Sequence, residues 1–214
     1  MLLGVVLLYV GAVLLVNGIW LLGQARAAQF ETTPTEQAGA GATAPEAREA
    51  RRPAVAVENH PTFIQNREIT VINIFTGFVG VLAAVILAVQ GNRSGDLASI
   101  RAAGFILLFA FTYLWVAFNN YLNAGGRAFG WYCLFVAVTA VPAGIYTLNA
   151  ANGHTGSVWL GLNWFAWAVL WFLFFLLLAL DRPIARLAGA VAIVEGIATS
   201  WVLGFLLLEG TVTL

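Results

Sequence analysis

Three tryptophans crowd one short stretch, "LNWFAWAVLWFLFF". They are Trp164, Trp167 and Trp171, spaced i, i+3 and i+7. On a helix such positions share a face. Tryptophans that anchor a membrane span sit at its ends, yet this row runs past the middle of an apolar run. Glu195 is the second unusual group. It lies midway along the last apolar run, within "AIVEGIATSW". A carboxyl at the bilayer centre costs about 2.5–3.5 kcal/mol on insertion scales, so it faces protein or water rather than lipid. It reads as a protonated packing residue or as a polar group on a solute path, and the second reading is preferred.

Two further sets extend this chemistry. "FAFTYLWVAFNN" places Phe111 and Trp115 four residues apart, with Asn119 a further four on. An aromatic stripe of this kind is ordinarily core packing, but its coincidence with the tryptophan row favours a lined passage. The first apolar run carries Tyr9 and Asn17. His60 and His154 have no neighbouring ligands and read as solvated side chains. His154 keeps a second reading as a pH sensor, because imidazole titrates near neutrality. Cys133 is the only cysteine, so neither a disulfide nor a zinc site is available to it within the chain. Neither H-E-x-x-H, G-x-S-x-G nor a Walker loop occurs, and no enzyme, cofactor or metal is implied.

The elements that must position these residues are membrane helices. The chain is 61% hydrophobic and 9% charged, far more apolar than an average soluble domain. Six runs are long enough to span a bilayer: about 2–23, 69–90, 102–121, 130–149, 158–180 and 185–208. The expected fold is all-α, one compact six-helix membrane domain over residues 1–214. The zero net charge gives no reason to expect a nucleic-acid partner. The first run is expected to be a retained span, since its apolar core is longer than a signal peptide uses and lacks a basic leader.

The basic residues give the orientation. Eight arginines (26, 48, 51, 52, 67, 127, 182, 186) fall in the loops after the first, third and fifth spans. Two, Arg93 and Arg101, fall on the other side. The positive-inside bias therefore predicts both termini outside the cytoplasm. The first loop, residues 24–68, is rich in Ala, Pro, Glu and Thr, and is expected to be a mobile cytoplasmic insertion with a short helix at residues 45–52.

Small residues mark close helix contacts. Gly4, Gly11 and Gly18 recur every seventh residue. Ala188, Ala192, Gly196, Ser200 and Gly204 recur every fourth, with Glu195 on the flank of that ridge. A weak repeat aligns "FTGFV", "VTAVP" and "VEGIA", bringing Thr76, Thr139 and Glu195 into register. Three helical hairpins around a central pore would account for it.

The ordered segments "LLYVGAVLLVNGIW", "FTYLWVAFNNYL", "WYCLFVAVTAVPAGI", "WFAWAVLWFLFF" and "AIVEGIATSW" resemble the AmiS/UreI family of bacterial urea and amide channels. The resemblance covers all six spans and omits mainly the first loop. It implies a homo-hexamer in the bacterial inner membrane, each protomer passing urea or short-chain amides through its own pore. By motif, it implies pore-lining roles for Phe111 and Trp115, for Trp164, Trp167, Leu170 and Trp171, and for Glu195 and Asn17. Acid-gated members carry Tyr at the position of Trp115 and several histidines in outside loops. This chain has only His154 there, so strong acid gating is not expected. A proton-coupled carrier using Glu195 and a non-transporting membrane scaffold are the alternatives.

Overall fold

The computed structural model describes residues 2–32, 60 and 63–214. The helices are α1 (Leu2–Thr32), α2 (Asn66–Ser94), α3 (Leu97–Leu122), α4 (Arg127–Asn149), α5 (Thr155–Leu178), α6 (Ala185–Glu195) and α7 (Val202–Leu208). A π-helical segment, Gly196–Trp201, joins α6 to α7, and together these three make the sixth span, Ala185–Leu208. Among the described residues, six helices are long and apolar enough to cross a membrane. The expected spans are present, with α1 running further than expected. The Ala-rich tail "GQARAAQFET" keeps good helix formers in sequence, so residues 24–32 are helical rather than part of the first loop. The helix expected at residues 45–52 lies outside the described residues.

Each span packs on its neighbours in chain order, and the first closes the ring against the sixth. The bundle is thus a closed cycle of antiparallel helices around one axis. The tightest pairs are α2 with α3, α4 with α5, and α1 with the sixth span. The positions aligned by the weak repeat do different work. The Thr76 hydroxyl donates to the Tyr9 carbonyl on α1, whereas the Thr139 hydroxyl donates to Phe135 within its own helix.

Glycines set the closing contact. A methyl group built on Gly11 would lie 2.9 Å from the Gly196 carbonyl oxygen, and one on Gly18 would lie 2.6 Å from that of Gly189. At the other end, one on Gly4 would lie 3.1 Å from that of Gly204. Any side chain at these places would force the backbones apart. On α1 the steps are seven and seven residues. On the sixth span they are seven (Gly189 to Gly196) and eight (Gly196 to Gly204). The widened π turn sits within the eight-residue step and takes up its extra residue, so both rows of glycine stay in register.

Candidate functional site

Inside the ring a cavity of about 50 Å³, counted as space that a water centre can reach, opens in the half of the bundle away from the termini. A single water needs roughly 10–15 Å³ on that measure, so the cavity takes a solute of a few heavy atoms. Its wall combines Leu14, Asn17 and Trp20 of α1 with Phe109, Thr112, Tyr113 and Val116 of α3, Phe129 of α4, and Trp167, Leu170 and Trp171 of α5. Among the described residues no charged side chain lines it, and its polar groups are uncharged amide, hydroxyl and indole.

The three tryptophans of α5 converge on one ring. Phe109 lies edge-on to Trp164, Trp167 and Trp171 at centroid distances of 5.4, 4.9 and 4.5 Å. Trp164 and Trp167 meet edge-to-face at 5.4 Å, and Phe105 caps Trp164 at 5.1 Å. Such edge-on pairs add about 0.5–1.5 kcal/mol beyond burial, so the cluster is a rigid wall. All three indoles are buried. Trp167 and Trp171 face the cavity, while Trp164 packs behind them.

The π turn holds this wall. The Trp167 indole N–H donates to the Thr199 hydroxyl oxygen at 2.8 Å, and that hydroxyl donates to the Glu195 carbonyl oxygen at 2.6 Å. The Asn163 amide donates to the Thr199 carbonyl oxygen at 2.6 Å. A π turn disturbs the i→i−4 ladder, and Asn163 satisfies a carbonyl within it. The Glu195 side chain is buried near mid-span, and its Oε2 has no hydrogen-bond partner among the described residues.

Asn17, on the α1 wall, is fixed from behind by α2. Its Nδ2 donates to Asn73 Oδ1 at 3.1 Å, and Asn73 Nδ2 donates back to Asn17 Oδ1 at 2.7 Å. Asn73 is fully buried on α2 and also donates to the Ile69 carbonyl at 2.8 Å.

The expected residues therefore divide. Asn17, Trp167, Leu170 and Trp171 line the cavity together. Trp164 supports it, and Glu195 connects to it through the backbone of the π turn. Trp115 lies behind the wall, against Phe129 at 5.8 Å and Tyr132 at 5.4 Å. Phe111 points out of the bundle and is 47% exposed. His154 is exposed in the turn before α5, away from the cavity.

The α3 stripe that faces inward is Phe109, Thr112, Tyr113 and Val116, which the sequence reading passed over. Phe109 and Phe111 are two helical steps, about 200°, apart, so only one of them can face the axis. The choice is made by α2. A methyl group on Gly80 would sit 2.8 Å from Ala110 Cβ, and one on Gly77 would sit 2.5 Å from Leu114 Cγ. With Ala110 pressed into these glycines, Phe109 turns inward and Phe111 outward. The glycine pair and the buried Ala103, Ala110 and Ala117 row were the available signal.

The comparisons agree with this architecture. The chain is 35% identical over 208 residues to a Mycolicibacterium smegmatis protein described as a transporter of amidate substrates, covering 97% of this chain and 76% of that one. It is 29% identical to the acid-activated urea channel of Helicobacter pylori strain J99, over 96% of each chain. The crystal structure of the H. pylori urea channel superposes with a TM-score of 0.73 at 28% identity, covering the whole of both chains. A cryo-electron microscopy structure of that channel in its closed state also gives 0.73. Residues 61–211 match the description AmiS/UreI family transporter. With six spans closed in chain order and relatives aligned across nearly the full length, the chain belongs to the AmiS/UreI family of membrane transporters.

Proposed function

We propose that the protein is a passive channel for urea or short-chain aliphatic amides, each protomer holding its own path. The observation that carries this reading is the cavity wall: aromatic faces and one fixed carboxamide, with no charged side chain lining it among the described residues. Taking a bare amide out of water into hydrocarbon costs several kcal/mol. Asn17, Thr112 and Tyr113 offset part of that cost by offering uncharged hydrogen-bonding groups. An ion receives no matching compensation, so an aromatic constriction holds back protons, ammonium and salt. Trp167 contributes its ring face to this wall, because its N–H is already given to Thr199. The likeness to proteins named for urea and amidate substrates supports the solute class.

The arginine asymmetry supports both termini lying outside the cytoplasm of a bacterial inner membrane, and in that orientation the cavity would lie toward the cytoplasmic side. In the assembly we infer, six protomers form a ring. Broad apolar faces support contacts with lipid or neighbouring protomers, among them Phe75, Phe78 and Leu82 on α2 and Trp131, Phe135 and Val138 on α4. In this orientation His154 is the outside histidine and the candidate pH sensor.

Purified protein in liposomes tests the function. Swelling should be fast in urea and acetamide, slow in glycerol, and indifferent to an imposed proton gradient. Uptake that becomes concentrative under the gradient would instead establish the proton-coupled carrier, which the unpartnered buried oxygen of Glu195 favours. No solute-dependent swelling would leave a membrane scaffold.

A further inference from the structure

The cavity has an identifiable mouth. Odd-numbered spans run one way and even ones return. Trp20 and Leu21 near the end of the first apolar run, Val116 late in α3, Phe174 late in α5 and Phe129 in the first turn of α4 therefore lie at one end of the wall. Leu14, packed on Gly196, marks the other end, about 9 Å from Trp20 along α1 at 1.5 Å per residue. Trp20 is only half-buried, and its N–H donates to Oδ1 of Asn66, an exposed residue at the first position of α2, at 3.1 Å. An indole has no second polar group. What Trp20 gives the mouth is thus ring carbon, with its polar edge tied to a residue that is not part of the wall. The tie point is itself fixed. Gln65 caps α2, its backbone N–H donating to the Glu68 carboxylate at 3.0 Å in a capping box. Four residues past Trp20, on the same face of α1, Gln24 Nε2 donates to the Ile64 carbonyl at 3.1 Å. Two rungs hold the start of α2 against α1, and the first of them bears on the cavity.

We propose that Trp20 sets the width of the cavity mouth and that Asn66 is its positioning residue, holding the indole edge so that the mouth keeps one aperture and turns away amides broader than urea. This rests on the passive-channel reading. An aryl ring turns about a soft last torsion, and a half-buried ring has space to do so. Flux of a broad solute through a fluctuating opening is dominated by its widest states. A slim planar solute passes in narrow and wide states alike. Freeing the ring therefore relaxes size discrimination, whichever way the ring swings on average. A tryptophan that merely anchored α1 at the membrane surface, or a bond that merely attached α2, would leave the ratio of the two fluxes unchanged.

A double-mutant cycle read with two solutes of unlike width tests this. Asn66→Ala, Asn66→Asp, Trp20→Phe and the Asn66→Ala/Trp20→Phe double variant are reconstituted in liposomes, and isobutyramide and urea fluxes are measured for each. Asn66→Ala should raise the isobutyramide-to-urea ratio about fivefold, the equivalent of one hydrogen bond. Asn66→Asp keeps an acceptor oxygen and should return the ratio close to wild type. Trp20→Phe loses the N–H and has a smaller ring, so the ratio should rise at least as far, and adding Asn66→Ala to it should change nothing further. An unchanged ratio in Asn66→Ala, an aspartate variant that behaves like the alanine one, or an alanine effect that persists in the Trp20→Phe background would each overturn the proposal. Asn66 is exposed, so its variants keep the fold, and if Trp20→Phe does not fold the alanine and aspartate variants decide alone. Wild-type liposomes that pass neither urea nor acetamide would overturn the channel reading itself, a result distinct from a conducting wild type with unaltered variant ratios.

Discussion

The indole nitrogen of Trp167 lies 2.8 Å from the hydroxyl oxygen of Thr199, which in turn donates to the Glu195 carbonyl. A side chain on α5 is thereby oriented by an irregular turn in the sixth span. That turn lies within the eight-residue step from Gly196 to Gly204, the glycines that face α1. The same turn therefore touches both the glycine contact with α1 and the aromatic wall of the cavity.

Removing the Thr199 hydroxyl should free the Trp167 ring. Thr199→Val keeps the shape and loses both bonds, so urea flux in liposomes should drop by roughly fivefold, the equivalent of about 1 kcal/mol. Thr199→Ser, which keeps the hydroxyl, should restore it. Equal flux in the valine and serine variants would show that the bond does not hold the wall.

Phe109 is the ring on which all three tryptophans lean. Phe109→Ala should widen the passage, raising butyramide flux relative to urea, and Trp171→Ala should do the same. Large-to-small changes in a core cost about 3–5 kcal/mol, so the measurements are best made at low temperature. Unchanged size selectivity in both variants would reject the aromatic constriction.

Glu195→Gln retains shape and polarity but removes the ionisable group. Passive urea and acetamide flux should stay at the wild-type level with no gradient present. A variant that still equilibrates solute but has lost an accumulation seen in wild type would point to a carrier.

The glycine interlock predicts a sharp contrast in stability. A methyl group at Gly196 meets Leu14 Cβ at 2.9 Å and the Gly11 carbonyl at 3.1 Å, whereas one at Gly104 meets nothing within 4 Å. Gly196→Ala should destabilise by about 1–3 kcal/mol through overpacking. Gly104→Ala, in an exposed helical position, should stabilise by about 0.5–1 kcal/mol. Thermal unfolding in detergent reads both, and a Gly196→Ala protein as stable as wild type would exclude the close α1 contact.

Hydropathy alone determined the membrane class, the six spans and most of their limits, because the transfer of a side chain into lipid is a local property that sums along the chain. The spacing of Trp164, Trp167 and Trp171 was enough to place them on one face, and the misfit of Glu195 in its apolar run marked it as interior. Which stripe of α3 looks inward was not legible in the same way. "FAFTYLW" holds two overlapping aromatic stripes, with Phe109 and Phe111 on opposed faces, and local pattern favours neither. The rotation of α3 was decided by how deeply Ala110 seats against Gly77 and Gly80 of α2. The partnership of Asn17 with Asn73 and that of Trp167 with Thr199 join different helices, and both came from the ring closing. Helix formation is encoded residue by residue, but the rotation of each helix about its axis is set by contacts between small residues on different spans. Only the assembled bundle brings those together.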